Sequence, residues 1–308
     1  MEKKLKILGT IFIIAITIGG ILGIFVFLKP QGEEIKGYIF IDSKNREVYV
    51  PYYPNRIISM APSITEILYD LEVDARLVGV TDYCNYPLDA TNKTSIGGFS
   101  TPNLEIIINL NPDLIIAASW NAELVAQLEE LDLTVVVILS ETLDEIIDNI
   151  GVIGNLTNSK SKASEVINAM YSDMEAITNK TYMINQTEKI DCYFEIWETP
   201  IVAGGSTFIN DMINKAGAIN IFGSIDLEWP TVQHEWIIAS DPDVIFITEH
   251  NAPWYSQDVY SRTGYDVVNA CINNRIYLCF DDIYLRPGPR IIMALKNMTY
   301  YLYPSLFP

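Results

Sequence analysis

The chain has 308 residues, 49% hydrophobic and only 19% charged, a balance that excludes bulk disorder and leaves room for two α/β lobes or one large domain. Twenty Lys and Arg stand against 39 Asp and Glu, a net charge of −19, so the basic footprint that a nucleic-acid partner needs does not exist. Two histidines argue against a His-rich metal cluster and restrict acid–base chemistry.

At the N-terminus, Lys3, Lys4 and Lys6 precede an uncharged run of 22 residues, Ile7 to Leu28. As a helix this run would be about 33 Å long, enough to cross a bilayer. No small-x-small cleavage site follows Leu28, and no cysteine follows for lipid attachment. Residues 1–30 therefore fit an uncleaved signal anchor with its lysines inside and the body outside. A cleaved signal peptide is the alternative. Residues 1–30 carry a net positive charge, so the whole acidic excess falls on the exterior body, which suits a soluble surface protein.

Residues 31–54 are predicted as a linker and N-terminal strands. An N-terminal lobe over 55–157 then alternates strands and helices, with strands expected at Arg56–Ser59, Leu77–Thr81, Asp113–Ala118 and Thr134–Leu139. Each is nearly continuous in apolar, often β-branched residues, as strands buried on both faces must be. Ser63-x-x-Glu66 reads as a capping box opening a helix over Ile64–Leu71. From Ser159 to about Asn179 no Gly or Pro interrupts, and Ala163, Val166, Ile167, Met170, Met174 and Ile177 form one helical stripe. This predicts an interlobe helix within 158–181, a strut between two lobes or an ordinary crossover helix. The C-terminal lobe, 182–308, has strands expected at Ile190–Trp197, Asp243–Thr248 and Arg275–Phe280. The class is α/β with parallel sheets.

An internal repeat organises these parts. Phe99–Ala117 aligns without a gap on Trp229–Ile247, at an offset of 130, with seven of 19 positions identical. The shared residues include Thr101/Thr231, Glu105/Glu235, Pro112/Pro242 and Asp113/Asp243. The period is too long for a solenoid and fits two related lobes. In each copy an aromatic loop leads into a short helix beginning near Thr101 or Thr231. An acidic residue follows in its first turns, where the helix dipole favours it. Singly, each Glu is a surface residue; as a pair they form a pseudo-two-fold couple of carboxylates that arginines of a two-fold partner would fit.

Aromatic residues also occupy loops: Tyr83, Tyr86, Phe99, Trp120, Trp197, Trp229, Trp254, Tyr255 and Tyr284. Loops at the C-terminal ends of parallel strands line ligand crevices, and rings there suit a large, flat, partly apolar ligand. Arg262, Arg286 and Arg290 are candidates for gripping an anionic ligand. His250 is a candidate iron ligand or a solvated loop residue. Cys84, Cys192, Cys271 and Cys279 form no C-x-x-C, so buried free thiols or a Cys271–Cys279 pair are the open readings. Sequons start at Asn92, Asn155, Asn179, Asn185 and Asn297 and make glycosylation possible on an exported chain. Gly204-Gly205-Ser206 before a helix at Thr207–Lys215 reads as a helix cap or an anion loop. No G-x-S-x-G, P-loop or H-E-x-x-H is present, so nothing assembles an enzyme's nucleophile and base.

Together Arg56-Ile-Ile-Ser-Met-Ala-Pro-Ser63, Tyr83-Cys-Asn-Tyr-Pro87, Gly97-Gly-Phe-Ser-Thr-Pro-Asn-Leu-Glu105, Trp229-Pro-Thr-Val232 with Glu235, and Arg286-Pro-Gly-Pro-Arg290 resemble the solute-binding proteins of ABC importers, in the group serving cobalamin, ferric siderophores and haem. The resemblance runs from about Ile39 to Phe307, and the tyrosine pair and the Trp-Pro-x-Val piece look most like the cobalamin-binding branch. It implies two Rossmann-like lobes joined by a single long backbone helix, with the ligand in a cleft between them. By resemblance the ligand contacts are Tyr83, Tyr86, Phe99, Trp120, Trp197, Trp229 and Asp282, and Glu105 and Glu235 dock on the permease dimer, which works with its ATPase subunits. It implies no resident cofactor or metal, and cobalamin or an iron complex as cargo. The family's usual lipid-bearing or cleaved leader is replaced here by an apparent anchor, and position 99 is Phe, which leaves the ligand open.

Overall fold

The computed structural model describes residues 13–18, 21–26, 37–98, 100–119, 121–197, 199–248 and 255–307. Phe99, Trp120, His250, Trp254 and the linker at 31–36 lie outside them. The apolar run expected as a spanning helix is described only in part, as β1 (Ile13–Ile18) and β2 (Ile21–Val26), an antiparallel pair with Ile18 opposite Ile21. No helix among the described residues is long and apolar enough to cross a membrane. The sequence rationale for a pair is local: isoleucine-rich runs flank Gly19-Gly20, and β-branched segments around a Gly pair carry a hairpin signal.

Next comes an antiparallel hairpin, β3 (Gly37–Ile41) and β4 (Glu47–Pro51). Its turn is pinned by Asp42, whose carboxylate accepts Arg46 Nε at 3.0 Å and the Val137 backbone N–H at 3.1 Å. These charge-assisted bonds hold the Asp42 carboxyl below the usual range despite its burial.

The first βα half contains β5 (Ile57–Ser59), α1 (Pro62–Asp70), β6 (Leu77–Val80), β7 (Thr94–Ser95), α2 (Leu104–Leu110), β8 (Leu114–Ala117), α3 (Ala122–Glu130), β9 (Val135–Val137) and α4 (Leu143–Leu156). Its strands run parallel in the order β7-β6-β5-β8-β9. Ile57, Ile58, Leu114, Ile115, Ile116, Val136 and Val137 are wholly buried, so helices cover both faces, as the continuous apolar runs require.

α5 (Lys160–Thr181) follows, 22 residues long, and buries Ala163, Met170, Met174 and Ile177 of the expected stripe. The second half contains β10 (Asp191–Trp197), β11 (Ile201–Val202), α6 (Phe208–Lys215), β12 (Ile219–Asn220), α7 (His234–Ser240), β13 (Val244–Thr248), α8 (Tyr255–Ser261), α9 (Asn269–Ile272), β14 (Ile276–Cys279), α10 (Asp281–Tyr284) and α11 (Ile291–Leu302). β12, β13 and β14 extend β10 in parallel as β12-β10-β13-β14, with β11 antiparallel on β10. This order repeats β6-β5-β8-β9 of the first sheet. The four cysteines are free thiols.

The sequence repeat is a repeat of structure to the residue. α2 and α7 are both seven residues long, start 130 apart, and end on left-handed caps, Asn111 at φ 44° and Asp241 at φ 44°. Asn and Asp are the non-glycine residues that tolerate this conformation best. The shared aspartates act alike: Asp113 accepts backbone N–H groups of Asn55 and Arg56 at 2.7 and 2.9 Å, and Asp243 accepts that of Asp191 at 3.2 Å. Each ties its strand to the entry of the neighbouring one. The helices begin three residues later than the sequence suggests. The preceding loops are held extended by bridges pairing Gly97 with Pro102 and Thr231 with Ile201.

α4 and α5 pack closely at Gly154, where a Cβ would stand 2.5 Å from the Ala163 Cβ. Helix propensity alone would make Gly154→Ala stabilising by about 1 kcal/mol, but forcing two packed helices apart costs about 1–3 kcal/mol. Gly154→Ala is expected to lower stability in chemical denaturation. Gly151→Ala, which meets only the flexible Ile167 side-chain end at 3.3 Å, is expected to be neutral or mildly stabilising.

Candidate ligand-binding site

A cavity of about 660 Å³ opens between the two sheets. Ser63, Ile64 and Ile67 of α1 wall it from the first half, with Ser119 after β8 and Ser140 and Glu141 after β9. Thr207 and Phe208 at the start of α6, with Glu228, Trp229, Leu285 and Pro287, wall it from the second. It lies where loops leave the C-terminal ends of parallel strands, the crevice in which α/β sheets hold ligands, and its size is that of a small-molecule site.

Trp229 is set in place by backbone. Gly204 donates to Glu228 O at 2.9 Å, Val202 to Pro230 O at 3.0 Å and Val232 to Pro200 O at 2.9 Å. A Cβ at Gly204 would fall 2.1 Å from Leu227 O, so only glycine lets the strap close. Thr207, the residue after the Gly204-Gly205-Ser206 stretch, caps α6 by accepting the Asn210 N–H at 3.1 Å, so the cap falls one residue beyond the stretch expected to supply it. The indole is left 41% exposed beside the cavity.

Among the described candidates, Trp229 alone lines this cavity. Tyr83, Tyr86 and Asp282 gather next to it around two arginines. Arg286 donates to Tyr83 O at 3.2 Å and Asn85 Oδ1 at 2.8 Å and pairs with Asp282. Asn85 Nδ2 donates to Asp282 Oδ2 at 2.9 Å, and the Arg290 guanidinium lies 4.0 Å over the Tyr86 ring. Trp197 is not among the lining residues and is 41% exposed at the end of β10.

Glu66 was not flagged as a site residue by sequence, and its expected capping role is overturned. Pro62 starts α1 early, the N-cap is Ala61, and no side chain caps the helix. Glu66 is 2% exposed and accepts Arg286 Nη1 at 3.0 Å and Arg290 Nε and Nη2 at 2.8 and 2.6 Å. A partner 220 residues away gives no local signal. A second bond set joins the halves on another side: Asp211 of α6 accepts the Leu143 N–H at 2.8 Å, and Lys215 pairs with Asp144 at 2.8 Å.

None of the three arginines proposed as anion grips lines the cavity. Arg262 forms a two-point pair with the fully buried Glu195, 2.7 Å on each arm, and Tyr193 donates to the same carboxylate. Arg262 also lies 5.5 Å from the Tyr265 ring centre. Burial raises the Tyr265 hydroxyl to about 12, and its oxygen sits 3.0 Å from His234 Nδ1 at the head of α7. Glu105 and Glu235 occupy the same second position of α2 and α7 and are solvent-exposed.

The profile of the periplasmic binding protein family matches residues 57–282. The chain belongs to that family. Among curated proteins it is 29% identical, over 90% of its length and 89% of the relative's, to an uncharacterized ABC transporter substrate-binding lipoprotein of Bacillus subtilis. It is also 29% identical to the vitamin B12-binding protein of Vibrio cholerae, over 82% of this chain and 90% of that one. Among solved structures, a possible iron-binding periplasmic solute-binding protein of Staphylococcus epidermidis superposes at TM-score 0.71 with 32% identity, over 81% of this chain and 99% of that one. The Vibrio cholerae B12-binding protein BtuF superposes at 0.72 with 26% identity, over 84% and 100%.

The Glu195–Arg262 pair is a structural element of the second half. Arg262→Met, which strands a buried carboxylate, is expected to cost about 3–5 kcal/mol in urea unfolding. Replacing both partners by apolar residues should recover most of that loss.

Proposed function

We propose that this chain is the extracytoplasmic solute-binding component of an ABC importer, that it captures a corrinoid in the interlobe cavity, and that it delivers it to a permease dimer. The observation that carries the ligand class is the cavity wall: serine and threonine hydroxyls, the Trp229 face, apolar side chains, Asn149 and the carboxylates of Glu141 and Glu228, with Lys44 the one cationic residue and no Arg, His, Tyr or Cys among its described lining residues. Among the described lining residues there is no guanidinium to grip an anionic siderophore and no His, Tyr or Cys to ligate haem iron. Such a wall suits a neutral, amide-bearing macrocycle that stacks on an indole and accepts hydroxyl hydrogen bonds. The B12-binding relatives support the same choice. Tyr83, Tyr86 and Asp282 border the mouth in this reading, with Phe99, Trp120 and Trp197 as further contacts.

The second reading, a ferric siderophore or haem on the same scaffold, is favoured by the 32% identical possible iron-binding protein of Staphylococcus epidermidis. Glu105 and Glu235, matched in helix position and exposed, are assigned as the docking carboxylates for arginines of the permease. Residues 1–30 act as export signal and membrane tether. The first cysteine is Cys84, so residues 1–30 carry no cysteine for the lipid attachment of a lipoprotein such as the Bacillus subtilis relative.

Titration of the full-length chain with cyanocobalamin, followed by tryptophan fluorescence and checked by calorimetry, is expected to show saturable binding below micromolar. Trp229→Ala should weaken it by about tenfold or more, as loss of a stacking anchor does. Absence of saturable binding, with a haem or ferric siderophore binding instead, moves the assignment to the second reading. The double variant Glu105→Ala/Glu235→Ala should abolish uptake in cells while ligand affinity stays unchanged; undiminished uptake would sink the docking assignment.

A further inference from the structure

We propose that Glu66 is a specificity-determining positioning residue, which holds Arg286 and Arg290 out of the interlobe cavity and so keeps that cavity closed to anionic ligands. The inference rests on the reading of this cavity as the ligand site. Its geometry is specific. Ser63, Ile64 and Ile67 of α1 line the cavity, and Glu66 on the same helix is not among the lining residues and is 2% exposed. Leu285 and Pro287 line the cavity, while Arg286 between them does not. Its guanidinium is turned onto Glu66, Asp282, Asn85 and the Tyr83 carbonyl.

Arg290 is held more completely. Two of its nitrogens bond Glu66, one also bonds Asp282 O at 3.0 Å, and its guanidinium covers Tyr86. Arg286 is therefore the arginine one backbone step from the ligand space. A planar, permanently charged fork there would clamp a carboxylate or a ferric catecholate anion. Glu66 and Asp282, with Asn85 and the Tyr83 carbonyl, satisfy that fork internally, and Glu66 alone also holds Arg290 through its side-chain carboxylate. What the cavity presents instead is Glu141 and Glu228, which repel anions further.

The test compares Glu66→Gln with the parent chain, using two probes: ferric citrate, an anionic iron complex, and cyanocobalamin, a neutral corrinoid. Glu66→Gln is expected to bind ferric citrate about tenfold more tightly or better, a change of about 1.4 kcal/mol, with cyanocobalamin affinity changed far less. Adding Arg286→Met should return ferric citrate binding to the parental level. A merely structural Glu66 would lower both affinities together, or leave ferric citrate binding unchanged, and either result overturns the inference. Should Glu66→Gln fail to fold, Glu66→Asp, a methylene short of its arginines, is judged by the same ratio of affinities. Cyanocobalamin failing to bind the parent chain would sink the corrinoid assignment, and the ferric citrate comparison would still decide the role of Glu66.

Discussion

A carboxylate buried to 2% exposure is held by two guanidiniums from a segment more than 200 residues further along the chain. Taking Glu66 out of water is unfavourable unless both arginines stay in hydrogen-bonding range, and that requirement fixes how the end of the second half lies against α1 of the first. The cavity then exists because the two strand-end surfaces are held apart at a set distance. The Asp211–Leu143 and Lys215–Asp144 contacts restrain the same two halves elsewhere, and α5, 22 residues long, lies between them in the chain.

Duplication explains why so much of the architecture was legible. Buried parallel strands announce themselves by unbroken β-branched runs, and the seven expected strands were found within a residue or two of their predicted ends. The repeat around Glu105 and Glu235 carried more information than either copy alone. It paired two helices, two left-handed caps and two aspartate ties that local propensity would not have linked. The α5 stripe was equally plain, because a core-facing helix must repeat its apolar residues near every third or fourth position.

What stayed hidden was non-local or backbone-borne. The Ser63-x-x-Glu66 pattern satisfied a local rule, and the rule lost to long-range charge pairing: a buried arginine pair stabilises the Glu66 carboxylate more than one exposed backbone N–H does. The strap that aims Trp229 depends on Gly204 meeting a carbonyl from another loop, which no spacing reveals. The arginines looked like ligand clamps because sequence shows their number but not their partners. Sequence likewise favoured a single helix for the apolar N-terminal run, since length and hydropathy dominate that reading, whereas isoleucine-rich runs about Gly19-Gly20 also satisfy a strand pattern.

Charge acts on ligand choice at two ranges, and both act in one direction. A net charge of −19 surrounds the molecule with a potential that slows the approach of anions and is indifferent to neutral solutes. Within the cavity, Glu141 and Glu228 continue that field, and the arginines that could reverse it are engaged elsewhere. Salt screens the outer field within about 10 Å at 0.1 M but leaves the buried Glu66–arginine contacts largely unscreened. Selection against anions should therefore persist at high ionic strength, set by where two guanidiniums point rather than by the acidity of the surface.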